Sequence, residues 1–408
     1  MRFTDRDETI LNGDLGEAAR IALELVAAAG GAMGASELLD ISGAHIDGCL
    51  YHGLAGLDFA RRLADAGGEV VVPTTLNVSS LDLLHPELYR GDEETARKSR
   101  ELMNAYERMG CRPTWTCAPY QLGDRPAHGD QVAWGESNAI VFANSVLGAR
   151  TNRYGDFLDI CCAITGRAPA VGRHTDEGRR STLAIDVAVP DDWLGHDLFY
   201  VALGLVLGRV AGTEVATIIG LDERSDEDRL KALGAAAASS GAVAMFHVAG
   251  VTPEASTLGS DRGIPRVPVD GSTLTRALRE LSGDLDAGLG AVSVGTPHAS
   301  EAELEALGEL MRGRTTSVPF FVNTGRDTAA SVPSVIESIE AFGAVVVTDT
   351  CTYITPIIGD VDGLVMTNSG KWAYYAPANI GVEVALGSLA DCVESAVVGK
   401  VVVSGGLI

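Results

Sequence analysis

The fold is decided by residues 318–351, VPFFVNTGRDTAASVPSVIESIEAFGAVVVTDTC. Within this stretch VPFFVNTG predicts a buried strand, SVPSVIESIEAFG a helix and AVVVTDTC a second strand. Two strands joined through a helix lie parallel in one sheet. The stretch therefore predicts an α/β fold, with parallel sheets flanked by helices.

The same alternation continues on both sides of this stretch. Strands are predicted at 69–75 (EVVVPTT), 180–189, 214–221 and 241–251, and helices at 14–29, 225–239 and 300–313. The first helix is expected to stop at Gly30-Gly31, and 137–148 (SNAIVFANSVLG) fits a strand or a helix equally. Capping boxes are predicted at Ser225 with Asp228 and at Ser300 with Glu303.

The length of 408 residues exceeds one ordinary core and predicts two to three closely packed domains. We subdivide the chain into 1–180, an N-terminal α/β part with most loops of the site, 181–345, an α/β sheet domain, and 346–408, a C-terminal segment returning to the site.

Composition excludes several classes of protein. With 31 Lys and Arg against 55 Asp and Glu, the formal charge of −24 argues against a nucleic-acid partner and against an anionic membrane surface. The most apolar stretch, 198–212, is too short to span a bilayer and contains Arg209. No signal peptide is evident, and seven irregularly spaced cysteines do not suggest a disulfide framework. We therefore expect a cytoplasmic protein.

Reactive side chains collect in loops after the predicted strands, where sites form in α/β sheets. Cys117 and Cys351 stand among polar turn residues, and Cys161 and Cys162 are adjacent. Thiolates from separate loops can hold an iron–sulfur cluster with one iron open. The alternative is that these cysteines are small core residues, as we expect for Cys49, Cys111 and Cys392.

Histidines offer a second kind of metal site. His45 lies two residues before Asp47, His247 ends a predicted strand, and His298 follows a proline. Two histidines and one carboxylate are a known metal-binding set, although locally satisfied polar residues explain the pattern equally well.

Two further segments could bind an anion. The segment NSVLGARTNR (144–153) could clamp a carboxylate or phosphate, and its alternative is a surface pair of arginines in salt bridges. Its candidate residues are Asn144, Ser145, Arg150, Thr151, Asn152 and Arg153.

In TNSGKWAYY (367–375), Ser369 and Lys371 could form another anion site, and a helix N-cap at Ser369 is the structural alternative. The chain has no G-x-G-x-x-G and no Walker A motif, so dinucleotides and ATP are not expected.

Six stretches together resemble the aconitase X family, and more narrowly the large, catalytic part of its members. They are TWTCAPYQLG (114–123), VAWGESNAIVFANSVLGARTNRYGDFLDICCAITGRAP (132–169), FHVAGVTPEA (246–255), VGTPHASEAELE (294–305), VVTDTCTY (346–353) and VMTNSGKWAYYAPANIGVEVALGSLADCVESAV (365–397). The resemblance extends over essentially the whole chain. It implies an aconitase-like fold without the swivelling small domain, and an iron–sulfur cluster, [2Fe-2S] or [4Fe-4S], on three cysteines.

The resemblance also implies a substrate. Bacterial members are cis-3-hydroxy-L-proline dehydratases, and archaeal members are mevalonate 5-phosphate dehydratases. The archaeal type has a cysteine in its G-C-P-H loop and lacks one in the D-x-C-x-A-I-T-G segment. This chain has Thr296 in GTPH and a cysteine in LDICCAITG, so it follows the hydroxyproline type.

Carried over by position, the cluster ligands are Cys117, Cys161 and Cys351. Cys162 departs from the family motif, which leaves open which cysteine of the pair binds iron. Fused members continue into a small domain that presents a catalytic serine. Because this chain stops at VVVSGGLI (401–408), we expect a separate small subunit with that serine and a heteromer.

The resemblance predicts a hydro-lyase that acts on a small molecule. We assign catalytic roles to Lys371, Ser369 and His45, and substrate binding to the residues of 144–153 named above together with Thr74 and Thr75. The alternative substrate is mevalonate 5-phosphate, and the alternative class is a non-catalytic metal-binding scaffold.

Overall fold

The computed structural model describes residues 1–260 and 262–404, and the last four residues of the predicted 346–408 segment lie outside this range. The chain forms two compact units. The first contains Met1–Ser80 and Gly91–Arg180, and the second contains Leu81–Arg90 and the chain from Ser181 onward.

The first unit combines a small parallel sheet with helices. Its helices are α1 (Asp5–Leu11), α2 (Glu17–Ala32), α3 (Leu54–Asp65), α4 (Glu93–Arg108), α5 (Ser137–Phe142), α6 (Leu158–Thr165) and α7 (Asp176–Arg179). Its strands are β1 (Leu38–Asp40), β2 (Gly43–Ile46), β3 (Thr74–Leu76), β4 (Val132–Trp134) and β5 (Arg167–Pro169). The parallel sheet has the order β3-β2-β4, and β1 pairs antiparallel with β5.

The core of this unit forms where α2 packs on α6. Apolar residues of α2 recur at helical spacing, so Leu23 and Val26 are fully buried and belong to the same apolar cluster as Ile160 of α6. The helix predicted at 14–29 is present, but α2 begins at Glu17 and continues through Gly30-Gly31 to Ala32. Gly30 lies against Pro169, where an added Cβ would approach its side chain to 3.2 Å. Close packing therefore explains this glycine.

The strand predicted at 69–75 is largely wrong, since only Thr74 and Thr75 of it are in β3. The preceding valines do not form a ladder, because Val70 N donates to Met109 O (2.9 Å) and Val71 N to Ala163 O (3.0 Å). The ambiguous 137–148 segment is helical, with α5 followed by a π-helical turn over Ala143–Leu147.

The second unit contains two parallel sheets and their flanking helices. Its strands are β6 (Leu183–Ala188), β7 (Ala216–Ile219), β8 (Phe246–Val248), β9 (Arg266–Asp270), β10 (Leu289–Ala299), β11 (Phe320–Thr324), β12 (Ala344–Val347), β13 (Leu364–Thr367) and β14 (Val384–Leu386). Its helices are α8 (Asp197–Ala211), α9 (Glu227–Ser240), α10 (Gly271–Arg279), α11 (Glu301–Met311), α12 (Arg326–Ser331), α13 (Pro333–Ala341), α14 (Gly370–Ile380) and α15 (Leu389–Val398).

Both sheets follow from the predicted alternation. The first has the order β8-β7-β6-β9 and the second β12-β11-β10-β13-β14, with parallel pairing throughout. The predicted α/β class, with parallel sheets flanked by helices, is therefore confirmed. Aliphatic and aromatic side chains such as Val292, Phe320 and Val322 are buried within the second sheet and form its core.

One predicted cap is confirmed and one is wrong. At α11 the Ser300 hydroxyl accepts from Glu303 N, and Ser300 N donates to the Glu303 carboxylate. At α9 the cap is Asp226, whose carboxylate accepts from Arg229 N at 2.9 Å. Ser225 contacts the Tyr200 hydroxyl instead, at 3.1 Å.

No helix within the described residues is both long enough and apolar enough to cross a membrane. The subdivision at residues 180 and 345 stays a prediction.

Candidate functional site

Two metal-capable side chains meet at the carboxyl ends of two strands in the five-stranded sheet of the second unit. His298 is near the end of β10, and Cys351 follows β12. A ring nitrogen of His298 and the Cys351 sulfur lie within 4.8 Å of each other, and both residues are fully buried. A thiolate and an imidazole suit iron, zinc or copper. This pair is therefore the candidate metal position of this unit.

The loop that presents Cys351 is held rigidly. Asp349 has a positive φ of 60°, which is uncommon for a residue other than glycine. Its buried carboxylate accepts two hydrogen bonds from Arg326, at 2.7 and 2.6 Å, and one from Leu83 N at 3.1 Å. A bidentate arginine pair fixes orientation as well as position. The strained turn thus keeps one geometry.

A buried polar network connects the neighbouring strands to α14. Thr352 N donates to the Asn323 side chain at 2.9 Å, and the Thr352 hydroxyl contacts Ser293 Oγ at 2.7 Å and accepts from Trp372 Nε1 at 3.0 Å. Satisfied buried networks specify one arrangement of their members. This network positions the loop after Cys351 relative to the start of α14.

Ser369 and Lys371 occupy that start. The Ser369 hydroxyl accepts from Trp372 N at 3.0 Å, so the predicted N-cap of α14 is present. Lys371 is 3% exposed, and its Nζ lies 5.8 Å from the centre of the Tyr353 ring. A buried ammonium on an aromatic face gains cation–π attraction. The helix start therefore holds a buried lysine beside an aromatic ring.

Cys117 is a buried thiol of the first unit, in the segment that runs beside β3. This segment is tied to the strand by the bond from Thr116 N to Leu76 O, at 3.2 Å. Its backbone is unusual, because Trp115 has a φ of 44°. Such a turn at the edge of a sheet is typical of a constrained site.

Cys161 and Cys162 lie in α6 and are fully buried in the apolar core of the first unit. Burial, together with the nearby Asp159 carboxylate, raises the pKa of the Cys161 thiol. Among the described residues, Cys161 belongs to no group of three His, Cys, Asp or Glu donors within 4.8 Å of one another. The Cys162 thiol is equally buried.

His45, in β2, is fully buried with Nδ1 2.8 Å from the Thr75 hydroxyl of β3. Burial lowers the pKa of His45 to about 4, against the opposing effects of the Glu136 carboxylate and the Thr116 backbone. The ring is therefore neutral at physiological pH. Thr74 turns away from this pair and donates to Val72 O at 2.8 Å.

Asn144 closes its own loop. Its amide donates to Thr151 O at 2.8 Å and its carbonyl oxygen accepts from Thr151 N at 3.0 Å. The same oxygen accepts from the buried Arg179 at 2.9 Å. Ser145 is buried beside it. The hydrogen bonds between the Asn144 side chain and the Thr151 backbone thus stabilise the candidate binding loop.

The remaining members of 144–153 are also anchored or exposed. Arg150 pairs with the Asp176 carboxylate at 2.6 Å. Asn152 donates to Val171 O at 2.9 Å, and Arg153 is exposed. Arg150 is therefore in a salt bridge, as the alternative interpretation of this segment predicted.

A buried carboxyl group escaped the sequence analysis. Asp159, at the start of α6, accepts from the backbone N–H of Asp47 (2.7 Å) and of Ile160 (2.6 Å), and Asn77 donates to the Asp47 side chain. Burial raises the pKa of Asp159 to about 7. The sequence could have indicated this residue, because an aspartate within the apolar run FLDICC (157–162) is unusual.

Three family models match the chain. They are the first domain of aconitase X over residues 1–177, the second over 181–280 and the third over 289–398.

Curated relatives extend over nearly the whole chain. Cis-3-hydroxy-L-proline dehydratase of Pseudomonas aeruginosa is 43% identical over 405 residues, covering 97% of this chain and 70% of that protein. The protein of the same name from Hypocrea jecorina is 41% identical, covering 97% and 68%. The phosphomevalonate dehydratase large subunit of Methanosarcina mazei is 37% identical, covering 98% of each.

A solved structure shows the same fold. The crystal structure of Thermococcus kodakaraensis aconitase X in its holo-form matches with a TM-score of 0.88 and 34% identity, covering 97% of this chain and 100% of that one.

Proposed function

Because the chain belongs to the aconitase X family, we propose that it is the large, catalytic part of a hydro-lyase acting on cis-3-hydroxy-L-proline. The reaction removes water across the α and β carbons and gives Δ1-pyrroline-2-carboxylate after tautomerisation. The observation that supports this substrate is the 43% identity to the Pseudomonas aeruginosa cis-3-hydroxy-L-proline dehydratase, above the 37% to the Methanosarcina mazei protein.

We propose an iron–sulfur cluster as the cofactor. The buried thiol of Cys351 beside His298 fits such a group, since clusters are held by thiolates and, in some centres, by imidazole. We propose Cys117, Cys351 and Cys161 as its ligands, with His298 as the alternative to Cys161. When bound, the cluster would supply a Lewis acid for the departing hydroxide.

The chain's own residues would bind and orient the substrate. We propose that Lys371 binds the substrate carboxylate, because it is buried and stands in the first turn of α14, where the helix dipole also favours an anion. A cation at the carboxylate stabilises the enolate-like charge that forms when the α-proton leaves. The neutral His45 imidazole would serve as a hydrogen-bonding group in the first unit.

The base that takes the α-proton is proposed to be a serine on a separate small subunit. The relative from Methanosarcina mazei is named a large subunit, which supports such a partner. With that subunit the protein would work as a heteromer in the cytoplasm.

The second candidate substrate is mevalonate 5-phosphate. This chain covers 98% of the Methanosarcina mazei phosphomevalonate dehydratase large subunit, against 70% of the Pseudomonas aeruginosa enzyme. The 37% identity to that large subunit supports mevalonate 5-phosphate as the alternative, while the 43% identity to the Pseudomonas aeruginosa enzyme supports the first substrate.

A direct assay separates the two. The protein is purified anaerobically from its native cells so that any partner is retained, and each substrate is added in turn. We expect cis-3-hydroxy-L-proline to yield Δ1-pyrroline-2-carboxylate, detected with o-aminobenzaldehyde, and mevalonate 5-phosphate to remain unchanged by mass spectrometry. Lys371→Met should reduce turnover at least a hundredfold. Dehydration of mevalonate 5-phosphate alone would refute the proposed substrate.

A further inference from the structure

A cavity of about 240 Å³ lies in the second unit where the chain reverses its direction across the sheet. From β10 the chain adds β11 and β12 on one side, and then β13 and β14 on the other. Ligands of open parallel sheets bind outside the carboxyl ends of the strands at this switch point. The cavity is lined by Gly295–Pro297 from β10 and by Asn368–Gly370 after β13. The strand order of the sheet thus indicates that this cavity is a candidate ligand site.

Two polar atoms on the wall of this cavity lack a partner. The Thr296 hydroxyl and the side-chain amide oxygen (Oδ1) of Asn368 are both buried, and neither has a hydrogen-bond partner among the described residues. Thr296 is only 7% exposed. A buried polar group without a partner carries a free-energy cost, because it has lost its hydrogen bonds to water. A ligand that hydrogen-bonds to both would remove this cost.

Another part of the cavity wall is acidic. Lys231 is shared by two carboxylates, Asp228 at 2.8 Å and Glu303, and all three side chains line the cavity. The Ser300 hydroxyl also donates to Asp228, at 2.8 Å. Two carboxylates around one ammonium leave a formal charge of −1. The more exposed rim adds Asp197 and Asp226 around a single cation, Arg229.

Size and charge together restrict the ligand. A water molecule takes about 30 Å³ of liquid, so the cavity has room for roughly eight waters or one small-ring metabolite. A negative surround attracts a cation and repels a phosphomonoester. Unpaired oxygen atoms accept hydrogen bonds from N–H groups. A compact ligand with a charged N–H therefore fits.

We propose that this cavity binds the cationic ring nitrogen of a small imino acid, with Thr296 and Asn368 as hydrogen-bonding partners and the Asp228–Lys231–Glu303 group supplying the negative charge. The assignment rests on the proposed function and deepens it. These residues select a zwitterionic ring amino acid over a phosphorylated hydroxy acid. Thr296 is then a specificity residue.

The test compares two probes that differ at one atom. Titration calorimetry on the full chain uses L-proline and (S)-tetrahydrofuran-2-carboxylate, in which oxygen replaces the ring nitrogen. We expect L-proline to bind at least tenfold more tightly. Thr296→Val keeps the side-chain shape, removes the hydroxyl, and should weaken L-proline at least tenfold. Thr275→Val, on α10 and away from the cavity, is the matched control and should bind as the wild type does.

Two outcomes would overturn the assignment: equal affinity for both probes, or wild-type affinity in Thr296→Val and in Asn368→Ala. Turnover by the wild-type holoenzyme separates this result from failure of the proposed function. If cis-3-hydroxy-L-proline is dehydrated while both variants keep the wild-type KM, the function stands and the cavity assignment is wrong. If it is not dehydrated but L-proline binding still depends on Thr296, the function is wrong and the cavity assignment stands.

Discussion

A buried histidine shows how strongly single residues depend on their surroundings. His174 places Nδ1 2.6 Å from the side-chain oxygen (Oε1) of Gln131 and Nε2 2.5 Å from the Tyr154 hydroxyl. The neutral ring donates at Nδ1 and accepts at Nε2, so both contacts are satisfied. Burial, with the charges of Arg179 and Arg150, lowers the pKa of His174 to about 3.

We predict that this residue makes stability fall in acid. The unfolded state takes up a proton near pH 6.5, whereas the folded state resists it to about pH 3, so the contribution of His174 is complete above pH 6.5 and is lost as pH falls towards 3. The slope is at most about 1.4 kcal/mol per pH unit. Urea unfolding from pH 7 to 4 should show a smaller slope for His174→Gln than for wild type, and an unchanged slope for the exposed His52→Gln. Equal slopes in all three proteins would contradict this.

Sequence could identify candidate residues but not their partners. The position of Cys351 after a strand was predictable, because AVVVTDTC is a clear strand end. The proximity of His298 depends on two strands far apart in the chain. The same limit applies to Asn144, whose hydrogen bonds to Thr151 and Arg179 form only after the loop has folded.

At the scale of elements, the start of α14 combines a structural and a functional candidate. Ser369 caps the helix, and Lys371 stands in its first turn. Because the first N–H groups of a helix have no partner within it, the cap hydroxyl satisfies one of them. The position of Lys371 therefore depends on Ser369.

Removal of this cap should destabilise the fold. We expect Ser369→Ala to lower the free energy of unfolding by about 1 kcal/mol, and Ser369→Asn, which can still accept from Trp372 N, to recover most of it. Urea denaturation monitored by tryptophan fluorescence measures both. Wild-type stability in Ser369→Ala would show that the cap contributes nothing.

The alternation of strands and helices was the most predictable feature, because βαβ units repeat one local pattern. Residues 318–351 became β11, α13 and β12, as predicted, with the short α12 between. Short apolar runs were less predictable. At 69–75 the backbone N–H groups of the valines donate to separate segments of the chain, Met109 and Ala163. These hydrogen bonds depend on the tertiary structure, so the hydrophobic periodicity of the sequence could not predict them.

At the scale of the whole molecule, the resemblance to the aconitase X family is confirmed, and it carried more information than composition did. Acidity argued against nucleic-acid and membrane partners, and length predicted two to three domains, but neither indicated a reaction. The substrate, the cluster and the small subunit are proposals, and the central one is that buried cysteines hold a metal cluster.

The most direct test of that claim is the iron and sulfide content of the anaerobically purified protein. Wild type and Cys392→Ser, which alters a buried core thiol of the second unit, should contain a full cluster. Cys351→Ser, Cys117→Ser and Cys161→Ser should each lose iron and the visible absorbance of the cluster. A full iron content in all three ligand variants would contradict the account.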